Sequence, residues 1–138
     1  EMAGKVLPEA FTCFTLNLDN LSELTKRFGY TVGDGVLKDF AGLVQLMGDT
    51  EGMRGYNGIG RFVVFFEECS SKKAAAMIRI LDNQVEEYNS LNPEYPIRYT
   101  AAWATTEETD TYEIRELLRL SQKKWKQMEK EKEQSSYS

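Results

Sequence analysis

The chain has 138 residues, 41% apolar and 28% charged, with a net charge of −5 and no histidine. That size and composition describe one ordinary soluble domain, expected over residues 1–138, with enough apolar content for a core that needs no metal or disulfide. No run of about 18 apolar residues is available to cross a membrane, no basic-then-apolar leader opens the chain, and an acidic balance argues against nucleic acid as a partner.

In chain order, residues 11–18 (F-T-C-F-T-L-N-L) alternate large apolar and small polar side chains and predict a strand. Leu21, Leu24 and Phe28 fall at helical spacing, and Gly29 ends that short helix. A second helix is expected to begin near Gly33 and Asp34, with Val36, Leu37, Phe40, Ala41, Val44 and Met47 as its apolar stripe. Residues 48–52 read as a loop. Residues 53–56 and 61–67 read as strands joined at Asn57-Gly58, a strong hairpin signal because both positions tolerate positive φ. The continuous run Phe62 to Phe66 predicts a central strand covered on both faces. A helix follows over about 72–89, with Met77, Ile78, Leu81, Val85 and Tyr88 on one face. After Pro93 and Pro96, the alternation of Ile97, Tyr99, Ala101 and Trp103 predicts a further strand. The last helix is expected over about 112–132, carrying Ile114, Leu117, Leu118, Ser121, Trp125 and Met128 on one side, and residues 134–138 are expected to fray.

The order β-α-α-β-β-α-β-α is the split βαβ, ferredoxin-like pattern with an extra helix early and another late. The expected product is an α+β domain: a mainly antiparallel sheet with helices packed on it. Cys13 and Cys69 lie in or beside apolar strands, which suits buried thiols in a reducing compartment. A nucleophilic cysteine has no histidine to activate it. The lysine-rich run 123–132, interleaved with Glu129 and Glu131, reads as a solvated helix face.

In this layout the end of the first strand lies beside the hairpin, where carboxylates can hold two divalent metals against a nucleoside triphosphate. Magnesium requires oxygen donors and favours carboxylates. The strand ends Asn17-Leu18-Asp19, with Asn17 and Asp19 on one face by the period of two. Asn17 carries no charge. The hairpin Asn57-Gly58-Ile59-Gly60-Arg61 offers no acid, and Arg61 would repel a cation. Asp49, Glu51, Glu67 and Glu68 flank the hairpin strands and read as solvated charges. The carboxylates of a two-metal site are missing.

Three segments together resemble the GGDEF family of diguanylate cyclases. N-L-D-N-L-S-E-L-T-K-R-F-G-Y-T-V-G-D (17–34) is similar to the family's D-x-D-x-F-K-x-I-N-D-x-x-G-H-x-x-G-D in length and in Asp19, Gly29, Gly33 and Asp34. G-I-G-R-F, from Gly58 through Ile59, Gly60 and Arg61 to Phe62, falls where the family carries its signature. L-L-R-L-S-Q-K-K-W-K-Q-M-E (117–129) falls where the family carries L-L-x-x-A-D-x-A-L-Y-x-A-K. The family's upstream D-x-L-T-G-L-x-N-R is absent, so the chain is expected to be a domain excised from a larger protein.

The resemblance implies a nucleotide-cyclase palm in which two protomers each hold one GTP with magnesium and together form cyclic di-GMP. Carried over by position, the inherited metal sites are Asn17, Leu18 and Gly60, with asparagine and glycine standing where the family has acids. Thr25 replaces the guanine-reading Asn and Lys26 the Asp after it, while Asp34, the second guanine contact, is retained. Leu21 and Ser22 replace a Phe and a phosphate-facing Lys, Tyr30 a His, Arg61 an acid, and Glu129 a second phosphate-facing Lys. The family's inhibitory R-x-x-D is not present in residues 52–57. Purely structural roles stand beside these. Asp34 can cap the second helix, Gly58 and Gly60 can serve a tight turn, Arg61 can be a strand-edge charge, and Trp103 and Trp125 can be core.

The leading expectation is a catalytically inactive GGDEF domain of a bacterial signalling protein in the cytoplasm, working without cofactor by pairing with another protein domain or a second copy of itself. The alternatives are an active diguanylate cyclase using magnesium and a sensor that binds GTP without turnover. Binding of GTP or cyclic di-GMP is weakened at each replaced position.

Overall fold

The computed structural model describes residues 10–47, 53–54, 60–66, 69–109 and 113–136. In chain order its elements are β1 (Thr12–Leu18), α1 (Leu21–Phe28), α2 (Tyr30–Gln45), β2 (Met53–Arg54), β3 (Arg61–Phe66), α3 (Ser71–Leu91), β4 (Tyr99–Thr105), a short 3-10 turn (Thr106–Glu108) and α4 (Ile114–Ser136). The four strands form one sheet in the order β2-β3-β1-β4, every pairing antiparallel. This is the α+β architecture expected from the element order. As predicted, β3 lies inside the sheet, between β1 and β2. The Asn57-Gly58 turn and the 48–52 loop lie outside the described residues.

β1 has a strand on each side, helices cover both of its faces, and every residue except Asn17 is buried. The period of two divides them. Phe14, Leu16 and Leu18 point into a large core with Phe62 and Val64 of β3, Phe40 and Val44 of α2, and Met77 and Leu81 of α3. Cys13 points the other way, with Val63, Ala104 and Leu117 beneath α4. Thr15 shares that second face, and its hydroxyl meets the Ser121 hydroxyl of α4 at 2.7 Å.

The sequence reading is corrected at several places. α2 begins at Tyr30, not near Gly33, because Gly29 takes φ +97° and turns the chain directly from α1 into α2. α3 extends beyond 72–89 at both ends, with Ser70 accepting from the Lys73 amide at 3.1 Å as its N-cap. Ile97 is buried but precedes β4, held by Asn89, whose side chain accepts from the Ile97 amide and donates to its carbonyl. Asn20, also unremarked in sequence, clamps the same segment: it donates to the Pro96 carbonyl at 2.7 Å and accepts from the Arg98 amide at 3.1 Å. α4 starts at Ile114 and continues through Ser136, so the expected fraying from 134 is not seen up to that residue. Leu37 and Trp103 are only half-buried, packed against the large core, and Met128 is exposed.

The centre of the large core is Phe40, fully buried, with its ring 5.7 Å from that of Phe62 and 5.4 Å from that of Tyr99. Truncating Phe40 or Leu81 to alanine is expected to destabilise the domain by about 2–5 kcal/mol. Urea denaturation measures this, and a loss below about 0.5 kcal/mol at both positions would contradict this core.

Candidate functional site

Asn17 near the end of β1 and Asp19 just after it lie on the side turned towards α4. Register sets Asn17 opposite Arg61 of β3 on one side and Thr100 of β4 on the other. From α4, Trp125, Glu129 and Lys132 descend onto this row at spacings of four and three, one stripe of the helix. Asn17 Nδ2 donates to Asp19 Oδ1 at 2.9 Å, and the Thr100 hydroxyl lies 2.5 Å from Asp19 Oδ2 and 3.1 Å from Glu129 Oε2. Lys132 Nζ donates to Thr100 Oγ1 at 2.6 Å and to the Tyr99 carbonyl at 2.9 Å, and pairs with Asp19 Oδ2 at 3.5 Å. Burial, then the neighbouring Asp19 carboxylate, push the Glu129 carboxyl above its usual range, while the Thr100 hydroxyl and Lys132 partly offset them.

Beside this cluster the Arg61 guanidinium lies over the Trp125 ring, 4.4 Å from its centroid. Trp125 is 7% exposed, so the cation–π contact is made largely out of water, where it is strongest. Among the described residues, Arg61 Nε and Trp125 Nε1 are buried without a hydrogen-bond partner. Arg61 is therefore no strand-edge charge: it sits on an inner strand and is stacked. Trp125 is core, as expected, and also the platform for Arg61.

This donor set does not fit magnesium. Asn17 is neutral and bonded to Asp19, Asp19 is taken by a hydroxyl, an amide and an ammonium, Gly60 has no side chain, and a guanidinium stands across from Asn17. Among the described residues, no three acidic, cysteine or histidine side chains gather where an ion could be held.

The positions inherited as guanine contacts lie at the junction of α1 and α2. Thr25 Oγ1 donates to the Leu21 carbonyl at 2.9 Å. The same hydroxyl fills the space over Gly33, where an added methyl group would collide with it. Thr25 is thus consumed by helix-to-helix packing. Asp34 is the fifth residue of α2, not its cap, and pairs with Lys38 one turn on at 3.1 Å. Ser22 is exposed. Leu18 is buried, and its amide donates to the Gly60 carbonyl at 2.7 Å. Gly60 has φ +85° and lies close to Leu21, so glycine is required there by backbone and space alike. Gly58 and Ile59 lie outside the described residues, and Phe62 is core.

The structure therefore brings Asn17, Asp19, Arg61 and Glu129 together and leaves Thr25 and Asp34 apart from them, in local bonds of their own. Sequence reasoning missed Thr100 and Lys132. The period of two running back from Trp103 does not select Thr100 until the β1–β4 register is known, and Lys132 was submerged in a mixed-charge run.

An antiparallel palm with helices on both faces is the nucleotide-cyclase class of fold. Residues 3–135 match the family model described as diguanylate cyclase, GGDEF domain, and the chain belongs to that family. Its structure is similar to that of the active GGEEF domain of a diguanylate cyclase from Vibrio cholerae, at TM-score 0.76 and 18% identity over 89% of this chain and 78% of that one. An EAL/GGDEF domain protein from M. capsulatus superposes at TM-score 0.68 and 15% identity, over 95% and 83% of the two chains. The GGDEF domain of DgcB from Caulobacter crescentus, solved in complex with c-di-GMP, gives 0.58 and 15% over 70% and 59%. At these identities the likeness establishes the fold. No curated protein matches the sequence. No helix of the described residues is long and apolar enough to cross a membrane.

Both cysteines are free and buried. Burial pushes the Cys13 thiol up to about 11, against a smaller opposing effect from Ser121, and burial likewise raises Cys69. In the native protein at pH 8 neither thiol is expected to react with a disulfide reagent, and both should react after denaturation. The sign for stability follows: the unfolded Cys13 thiol ionises near 9 and the folded one near 11, so stability falls as pH rises through that window. Gly60→Ala is expected to cost about 1–2 kcal/mol for left-handed backbone alone, measured by the shift of the urea midpoint.

Proposed function

We propose that this is a catalytically silent GGDEF domain that acts as an interaction or signal-transmitting module in a bacterial, cytoplasmic protein of cyclic di-GMP signalling. Its partner on this reading is another protein domain or a second copy of itself. The observation that carries the reading is the state of the strand end: Asn17 is neutral and faces Arg61 of β3, and the carboxylate just after β1, Asp19, is bonded to Asn17, Thr100 and Lys132. A phosphoryl-transfer site of this family type works by metal-held positioning and charge neutralisation. The Arg61 charge across the sheet from Asn17 opposes a divalent ion at that position. The closure of Thr25 against Gly33 supports the same reading on the nucleotide side and disfavours a GTP sensor.

Incubated with GTP and magnesium or manganese, the purified domain is expected to yield no cyclic di-GMP, and calorimetric titration with GTP or cyclic di-GMP should show no binding heat. Product at about one per second or faster, a typical enzyme rate, would overturn the proposal. A triple variant rebuilding the signature, Ile59→Gly, Gly60→Asp and Arg61→Glu, is expected to stay inactive. Asn17, Ser22, Thr25 and Glu129 would be unchanged, and groups that act as a unit are not restored one segment at a time. The comparison is the same triple carrying Asn17→Asp, Ser22→Lys and Thr25→Asn. Cyclic di-GMP from the hairpin triple alone would show a site far more intact than argued.

A further inference from the structure

α4 is two-sided in charge as well as in burial. Over residues 114–132 it carries seven Lys and Arg against three Glu, in a chain whose net charge is −5. Five of those cations, Arg115, Arg119, Lys123, Lys126 and Lys130, follow one another at spacings of four, four, three and four, and all are exposed. At 3.6 residues per turn they share an arc of about 80°, in a row about 22 Å long, opposite the buried Leu117 and Ser121. Among the described residues only Arg119 of the five has an ion pair, with Glu116 at 2.9 Å. Like charges at these spacings destabilise a helix, so the row carries a cost that an anionic partner removes. Beside the row lies an open hollow of about 450 Å³, lined by Lys123, Lys126 and Lys130 with Trp125, Gln127 and Glu129. Glu129 is engaged by the Thr100 hydroxyl. Trp125 is 7% exposed, and its indole N–H is buried without an acceptor. A buried donor left unpaired beside three lysines lacks a negatively charged acceptor.

We propose that this face of α4 docks an acidic segment of a partner protein, whose carboxylates pair with the row and one of which enters the hollow and accepts from Trp125 Nε1. The inference rests on the reading of the domain as an interaction module and names the chemistry of its partner. A lipid surface fits less well. The positions between the cations on that arc are Gln122 and Gln127, and no apolar side chain stands among them to anchor in the acyl boundary. A nucleic acid fits less well too, because the acidic remainder of the domain repels a long polyanion, whereas a short segment stays within the row. Each exposed ion pair contributes little alone, so the row works by number and its binding is screened by salt.

The test is calorimetric titration of the domain with a peptide of about ten glutamates, long enough to span the row when extended, and with a glutamine peptide of the same length. The wild type is expected to bind the glutamate peptide at about 0.05 M sodium chloride, to lose it at about 1 M, where the screening length falls to about 3 Å, and not to bind the glutamine peptide. Lys123→Gln, Lys126→Gln and Lys130→Gln together should weaken binding about tenfold or more. A control with the same net charge, Lys38→Gln, Lys72→Gln and Arg79→Gln, removes exposed cations elsewhere and should bind as the wild type does. Trp125→Phe keeps the ring and removes the N–H, and should bind several-fold more weakly. No binding by the wild type, equal loss in the control, full binding by the α4 triple or full binding by a folded Trp125→Phe would each overturn the inference. Adsorption to phosphatidylglycerol vesicles without peptide binding would also overturn it and assign the face to lipid. Should Trp125→Phe not fold, the α4 triple against its control decides. The titrations contain no GTP or metal and the cyclase assay contains no peptide, so failure of this inference and failure of the silent-domain reading are read separately.

Discussion

β1 sits between β3 and β4, and the alternation of its side chains commits each residue to one of two interiors. Phe14, Leu16 and Leu18 go to the core under α2 and α3, while Cys13, Thr15, Asn17 and Asp19 face α4. A slip of one residue would exchange the two sets, turning Phe14, Leu16 and Leu18 out of the large core and Thr15 and Asn17 into it. That prohibition fixes the register. The register in turn aligns Arg61, Asn17 and Thr100 in one row across the sheet. α4 lies over this face of the sheet: Ser121 meets Thr15, Trp125 covers Arg61, and Lys132 reaches Asp19.

The same row shows how the polar side chains beneath α4 are satisfied. A polar side chain near an interior needs a partner. In an enzyme some of these partners are ligands, so the groups stay poised. Here several have partners within the chain, although Arg61 Nε and Trp125 Nε1 have no hydrogen-bond partner. Asn17 and Asp19 bond each other, Thr100 spans the two acids, and Thr25 turns its hydroxyl to the carbonyl of Leu21. Arg61 spreads its flat cation on an indole, which lysine could not do as well because its charge is compact and strongly hydrated. These internal contacts join α4 to the sheet and α1 to α2.

The clamps made by Asn20 and Asn89 lie at the same end of the sheet, just before β4. Each asparagine uses its amide as donor and acceptor at once, tying the residues before β4 to the start of α1 and to the end of α3. Without them the segment following Pro96 would carry buried peptide groups with no ladder to join. They fix where β4 begins, and with it the position of Thr100 under Lys132.

Much of this was written locally in the chain. The alternation of residues 11–18, the apolar run from Phe62, the helical stripes of Phe40 and Leu81 and the glycine–aspartate spacings from Asn17 to Asp34 determined the elements, the antiparallel α+β class and the family. That positions 17 and 60 carry no acid was equally plain, since the identity of a residue needs no structure. What only the tertiary structure decided is which side chains meet. Asp34 became a mid-helix partner of Lys38, not a cap, because Gly29 at φ +97° starts α2 four residues early. Arg61 found Trp125, Thr100 found Asp19 across 81 residues of sequence, and Lys132 found Thr100 across 32. Periodicity reports the face a residue occupies, because it follows from the local geometry of the backbone. Contacts between faces depend on strand order and register, which are set by the whole core at once.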